Sequence, residues 1–338
     1  MFERLQEHPI TQGIASTLKI IFYILSFASI NAILYHYFSI DICYQLSIYT
    51  LQCIPACLCL LLIYELTKNY AYALIGMIIL VFHYHYLSAF VVAIMIDVID
   101  QLTNHIIKNH YLKNIPQFVE NSIKDVVMCM IFLLLAFVPL PQTIPFSFLL
   151  DTPYFFIMIV FFHCYSFYKG YHPALISAFV WPIEAFFLME NIEAFINNQP
   201  LQHLFTHGTM SAFCSLSGTA ITIGIVILAS RSFPKGTLLS AFFGVNEQVV
   251  FGLPVVNEKD CFFPFVIGGT LNASIPIMLM YLGYLNKPIF DAPYIGIGFE
   301  GFLVNLDWRS FIVAIVQILL SIVIWYPYFR KKVKKSEI

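Results

Sequence analysis

A carboxylate and an amide, Glu247 and Asn246, stand side by side in an otherwise apolar stretch, GVNEQVVFGLP at residues 244–254. A charged group near the middle of a bilayer costs at least ~2.5–3.5 kcal/mol on insertion scales, so an acid at that depth faces a cavity or a partner and carries function. The carboxylate can accept a hydrogen bond from a hydroxyl or take its proton as a general base. Asn246 offers donor and acceptor together, which suits paired hydroxyls. The structural alternatives are a Glu247 that ties neighbouring helices and an Asn246 that caps a turn. Gly244 on one side and Gly252-Leu253-Pro254 on the other argue against a continuous spanning helix. Non-helical backbone at membrane depth survives only where protein or a water-filled cavity satisfies it. The stretch reads as a re-entrant hairpin whose tip is a binding site.

Other groups are weaker candidates. His172 follows Gly170-Tyr171 and precedes Pro173, so it sits at a helix break. Glu184, Glu190 and Glu193 follow Trp181-Pro182, and the last two share a helix face, which reads as a solvated helix end. His83/His85, His105/His110 and His203/His207 lie at segment ends, where interfacial placement is expected. Trp181, Tyr294 and Trp308 are aromatics on which an apolar ring face can stack, although interfacial belts are rich in the same residues. The eight cysteines form no CxxC pairs and no Cys/His ligand spacing, so reduced buried thiols are expected and no metal. No nucleotide-binding loop is present, and no cofactor is expected.

The elements that must position these groups are apolar helices. Of 338 residues, 60% are apolar and 11% charged, and the mean hydropathy is +0.82. Soluble proteins run near 45–50% apolar and about 25% charged, so this is an all-α polytopic membrane protein. A net charge of −2 gives no reason to expect nucleic acid as a partner. Runs at residues 16–38, 44–64, 153–168, 262–284 and 311–329 suffice to span, and residues 70–107 suit two short crossings turning near His83-Tyr84-His85. A further span ends at Pro139 and another, FCSLSGTAITIGIVILAS, covers residues 213–230, giving about ten crossings in all. By the positive-inside rule the RKKVKKSEI tail is cytoplasmic. The opening MFERLQEHPITQG, with acids and a proline, makes a poor signal peptide and reads as a cytoplasmic lead-in.

NEQVVFGLPVV resembles the NEPVIFGLPIV signature of the membrane-embedded enzyme IIC permeases of bacterial phosphotransferase systems, in their lactose/cellobiose/chitobiose branch. The resemblance is specific from about residue 105 onward and departs at Gln248, where the family has proline. GYHP at 170–173 is similar to the family's GIHG-type motif, SLSGTA keeps Ser217 and Gly218 of its glycine-serine segment, and Asn272 fits the asparagine of its LVNA-type segment. What this resemblance implies is a IIC-type elevator transporter with re-entrant hairpins. It implies that Glu247 contacts and activates a sugar hydroxyl, and that His172, Asn246, Ser217 and Asn272 join it in binding substrate. It also implies two halves, residues 1–148 for oligomerisation and 149–338 for carrying sugar, and a homodimer in the cell membrane with both termini cytoplasmic.

On this reading the chain moves a β-linked disaccharide inward, where a separate soluble IIB protein, charged through IIA, phosphorylates it. The lipid bilayer and the sugar are its other partners, and no independent catalytic activity is expected. Two rivals stand beside it: an ion-coupled sugar transporter with Glu247 or Asp97 as proton carrier, and a divergent relative that binds sugar without transport.

Overall fold

The computed structural model describes residues 9–82, 85–110, 124, 126–128, 130–131, 134, 147–171, 174–232, 236–252, 255–291 and 295–334. Among them there is no strand, only an isolated bridge between Leu216 and Gly218. Five helical stretches are long and apolar enough to cross a membrane: Pro9–Phe38, Asp41–Thr67, Tyr86–His105, Lys259–Tyr281 and Arg309–Lys332. Two shorter apolar helices, Tyr70–Leu80 and Pro153–Tyr168, join them. The 70–107 region is thus one short helix and one long one rather than two short ones. The expected turn at His83-Tyr84, the linker at 113–116 and most of the span ending at Pro139 lie outside the described residues.

The chain forms two compact units. The smaller combines Glu7–Ile24 with Tyr49–Ser147. It contains the first part of α1 (Pro9–Phe38), most of α2 (Asp41–Thr67), α3 (Tyr70–Phe82) and α4 (Tyr86–His110). Gly76 of α3 is packed against Ile63 of α2 and Ile96 of α4 so closely that a Cβ would stand 2.1 Å from the Ile63 Cδ1. Small residues of this kind let helix backbones approach where lipid removes any hydrophobic drive to associate.

The larger unit combines Leu25–Ile48 with Phe148–Ile338. Here α5 (Pro153–Tyr168) starts with Thr152, whose side chain accepts from the Phe155 N–H, and Pro153, whose fixed φ suits the first helical position. It is followed by α6 (Ala174–Ile196), α7 (Ile223–Leu228), α8 (Thr237–Phe242), α9 (Glu247–Gly252), α10 (Gly269–Tyr281), α11 (Phe299–Asn305) and α12 (Arg309–Lys334).

Between α6 and α7 the backbone leaves the regular helix. One turn, His207–Thr209, capped by the Thr206 hydroxyl, passes into a π-helical turn, Met210–Cys214. Residues 215–222 then run irregularly, with Gly218, Ala220 and Ile221 all at positive φ. Alanine and isoleucine rarely adopt this conformation, and strain of this kind persists only where the surroundings hold it. What holds it is α12: the Ser321 hydroxyl donates to the Ile221 carbonyl (2.6 Å) and accepts from the Gly224 N–H (2.9 Å). Gly224 itself lies against the Ser321 backbone, where a Cβ would come within 2.3 Å of the carbonyl carbon.

Candidate functional site

The NEQ stretch forms a helical hairpin. Its arms are α8 and α9, and its turn passes through Gly244 at φ +81. Gln248, the departure from the family's proline, braces the arms: its side-chain oxygen accepts from the Thr237 hydroxyl at 2.7 Å. A cross-arm hydrogen bond thus stands where a ring would stiffen the turn. The turn is also held from outside, because Ile297 N–H donates to the Phe242 carbonyl at 3.0 Å.

Asn246, buried at the end of this turn, reaches the irregular 215–222 segment. Its amide donates to the Thr219 carbonyl (2.8 Å) and to the Thr222 hydroxyl (3.1 Å). Gly218 lies directly beneath it: a Cβ there would fall 2.3 Å from the Asn246 Cγ. Ser217, fully buried, accepts from the Ile223 N–H at 2.8 Å and so starts α7. The structure therefore brings Asn246, Ser217 and Gly218 together, as one junction between the hairpin tip and the broken segment. Both amide hydrogens of Asn246 are committed to that junction. The backbone of Glu247 begins α9 next to it, while the Glu247 side chain and all of His172 lie outside the described residues.

Asn272 occupies another layer. Buried in α10, it donates to the Gln317 carbonyl of α12 (2.8 Å), and Gln317 donates in turn to the Phe213 carbonyl in the π-helical turn (2.8 Å). One helical turn earlier, Gly269 abuts Ala220, with 2.7 Å left to that residue's Cα for a Cβ. Asn272 thus locks the helices that flank the broken segment. Among the described residues, its side-chain amide donates to Gln317 and not to the Asn246 junction.

Two histidines expected at an interface each contact buried or part-buried carboxylates. His203 stacks on Phe187 (4.2 Å, 4° between planes) and bridges two carboxylates, Asp151 at Nδ1 (3.0 Å) and Glu190 at Nε2 (2.8 Å). Burial alone would lower its pKa, but the two carboxylates override this and raise it to about 9. Glu190, read from sequence as part of a solvated helix end, keeps a side chain 42% exposed and is also half of this clamp. Asn191 fastens the same loop, accepting from the Gln202 and His203 N–H groups and donating to the carbonyls of His203 and Pro288. His207 contacts Asp291 (2.9 Å), and Trp181 meets its ring edge-on at 5.6 Å. Gly208 makes this approach possible, since a Cβ would strike the Phe290 carbonyl at 2.3 Å. No sequence spacing signalled either cluster, because the partners lie up to 84 residues apart.

Trp308 is exposed at the start of α12, beside Asp307, whose carboxylate takes the Arg309 guanidinium at 2.7 Å. Burial would raise the Asp307 pKa, but hydrogen bonds from Arg309 and Asn286 lower it overall. Tyr294 lies outside the described residues. A cavity of about 440 Å³ opens elsewhere in this unit, lined by His36, Tyr37, Phe195, Asn286, Lys287 and Asn305 among others. Among the described residues, no group of three or more His, Cys, Asp or Glu is placed to hold a metal ion.

No family model matches the chain. It is similar to lactose-specific EIICB components of phosphotransferase systems. The identity is 24% over 168 residues with that of Lacticaseibacillus casei (47% of this chain, 29% of the relative) and 24% over 181 with that of Lactococcus lactis (50% and 32%). With that of Staphylococcus aureus it is 25% over 182 residues, 51% of this chain and 32% of the relative. The chain thus matches about a third of the length of these curated relatives. Among solved structures, the transporter ChbC, the IIC component of an N,N'-diacetylchitobiose-specific phosphotransferase system, superposes with a TM-score of 0.80. At 15% identity, this match covers 98% of the chain and 95% of ChbC.

Proposed function

We propose that the chain is a membrane-embedded IIC permease of the lactose/cellobiose/chitobiose type that carries a β-linked disaccharide across the cell membrane for phosphorylation, a reading supported by its similarity to lactose-specific EIICB components and by its likeness in fold to ChbC. The observation that carries this reading is the hairpin: an NE pair at the turn between α8 and α9, with Asn246 fastened to the Ser217–Gly218 break. Asn246 and Ser217 hold the two backbone irregularities together, so the following residue, Glu247, starts from a fixed backbone. Holding a reacting group in register is the larger part of phosphoryl-transfer catalysis.

Glu247 accepts a sugar hydroxyl and, with His172, orients it. At the cytoplasmic face a soluble IIB protein, charged through IIA, presents phosphocysteine. The phosphoryl group passes from sulfur to the 6-hydroxyl oxygen as Glu247 draws off the hydroxyl proton. Phosphorylation makes uptake irreversible without an ion gradient. The residue 149–338 half moves with the sugar, Asn272 keeping its flanking helices locked, while residues 1–148 hold a homodimer with both termini cytoplasmic.

The test is equilibrium binding of labelled cellobiose, chitobiose and lactose to purified protein, followed by phosphorylation with IIB present. Glu247→Gln is expected to keep part of the binding and to lose phosphorylation by 10²–10⁴-fold, the usual worth of a general base. Full phosphorylation by Glu247→Gln rules out the proton-accepting role. Uptake that survives removal of the phosphotransfer proteins and collapses with a protonophore rules out the permease reading in favour of ion coupling.

A further inference from the structure

Four ionisable side chains from four separate segments converge in the larger unit. They are Glu184 of α6, His207 of the single helical turn, Asp291 of the connection before α11, and Glu300 of α11. Glu184, Asp291 and Glu300 are 1%, 2% and 7% exposed. His207 contacts Asp291 directly and lies within electrostatic reach of both Glu184 and Glu300. Among the described residues, neither carboxylate oxygen of Glu184 has a hydrogen-bond partner, and both are sealed from solvent. The other titratable group facing Glu184 is the Cys214 thiol of the π-helical turn, with Cys164 of α5 behind it.

Charge counting decides what the cluster holds. The carboxylates of Glu184 and Asp291 against one imidazolium, that of His207, leave a net negative charge in a sealed interior. An ion buried without a partner costs several kcal/mol, and such groups bind a proton instead. Asp291 is already matched with His207. Glu184 has neither a cation in contact nor a donor for its oxygens. A metal ion is a poor alternative, since the four groups do not assemble as a ligand set.

We propose that Glu184, His207, Asp291 and Glu300 form a proton-binding site, in which Glu184 is a neutral carboxylic acid at neutral pH. Loss of the proton adds one further buried negative charge near His207, so the cluster resists deprotonation as long as its walls stay closed. Trp181, whose ring edge meets His207, lies beside this exchange.

Infrared spectroscopy of the purified protein tests this without any sugar. A neutral carboxylic acid shows a carbonyl stretch distinct from the two carboxylate bands. The wild type is expected to show this stretch at neutral pH and to lose it on alkalinisation, with the stretch absent from Glu184→Gln and kept in Glu193→Gln. Its absence from the wild type at neutral pH overturns the proposal, as does an unchanged stretch in Glu184→Gln. His207→Asn supplies a second reading should Glu184→Gln fail to fold: removing the imidazolium is expected to move the alkaline loss by at least tenfold lower proton concentration. No movement overturns the assignment of His207 to the site. Sugar binding enters none of these readings, so their failure leaves the permease reading untouched, and the reverse.

Discussion

Gly218 shows how one atom sets the geometry of the site. It sits at φ +88, where an L side chain is strained, and directly under Asn246. The backbone conformation alone costs roughly 1–2 kcal/mol for a residue with a Cβ, and the collision with Asn246 adds to it. Gly218→Ala is therefore expected to push Asn246 off Thr219 and Thr222 and to weaken sugar binding, while Gly236→Ala serves as the control. Gly236 has an equally positive φ but open space around its Cβ position. Equal binding losses in the two variants would mean that backbone strain, and not the Asn246 contact, sets the affinity. Removing the amide itself, Asn246→Ala, leaves the Thr219 carbonyl without its donor, at ~1–3 kcal/mol for a buried group. A fall in melting temperature together with weaker sugar binding is the expected readout.

At the scale of the element, a hairpin turn can be stiffened in two ways. Proline restricts φ and removes a donor that the first helical turn does not need. This chain instead uses the Thr237–Gln248 hydrogen bond. Gln248→Ala is expected to lower stability by about 0.5–1.5 kcal/mol, the net worth of one hydrogen bond. Gln248→Pro loses the same bond but restricts the unfolded chain, which offsets part of the loss. Thermal unfolding of the two variants in one detergent compares them directly, and a proline variant less stable than the alanine variant would show that the arms need the bond itself. The same element explains what could be read in advance. Gly244, the Gly252-Leu253-Pro254 break and the polar pair between them announce a turn inside grease, and a turn is what α8 and α9 make. The Gln248 brace was invisible because its partner, Thr237, lies on the other arm, and no local pattern links the two positions.

At the scale of the whole molecule, the 197–206 loop is clamped by His203 between Asp151 and Glu190 and by the four hydrogen bonds of Asn191. The His203 pKa rises from 6.5 to about 9, so the folded state binds the proton more tightly than the unfolded chain. The clamp's contribution is then complete below pH 6.5 and is lost as pH climbs through about 9. Melting temperature measured across this window is expected to fall for the wild type and to fall less for His203→Gln; parallel curves would remove His203 as the cause. Asn191→Ala abandons two part-buried N–H groups and two carbonyls at once. At ~1–3 kcal/mol for each unsatisfied group, it is expected to be among the most damaging single changes in this unit.

Composition and local pattern determined the class of the protein and the place to look within it. An 11% charged chain with repeated long apolar runs has to satisfy its backbone within helices in a bilayer, and a carboxylate kept inside such sequence at a Gly/Pro break marks a site. Those signals are local, carried by residues within a few positions of one another. Only the tertiary structure decided how the marked residues divide their work. It fastens Asn246 to the Ser217–Gly218 break, assigns Asn272 to a layer between α10 and α12, and sets His203 and His207 against carboxylates. The reason is distance along the chain: Glu184, His207, Asp291 and Glu300 are spread over more than a hundred residues. In sequence Glu184 is one more acid after the Trp181-Pro182 break, and only its neighbours in space show it buried without a hydrogen-bond partner among the described residues.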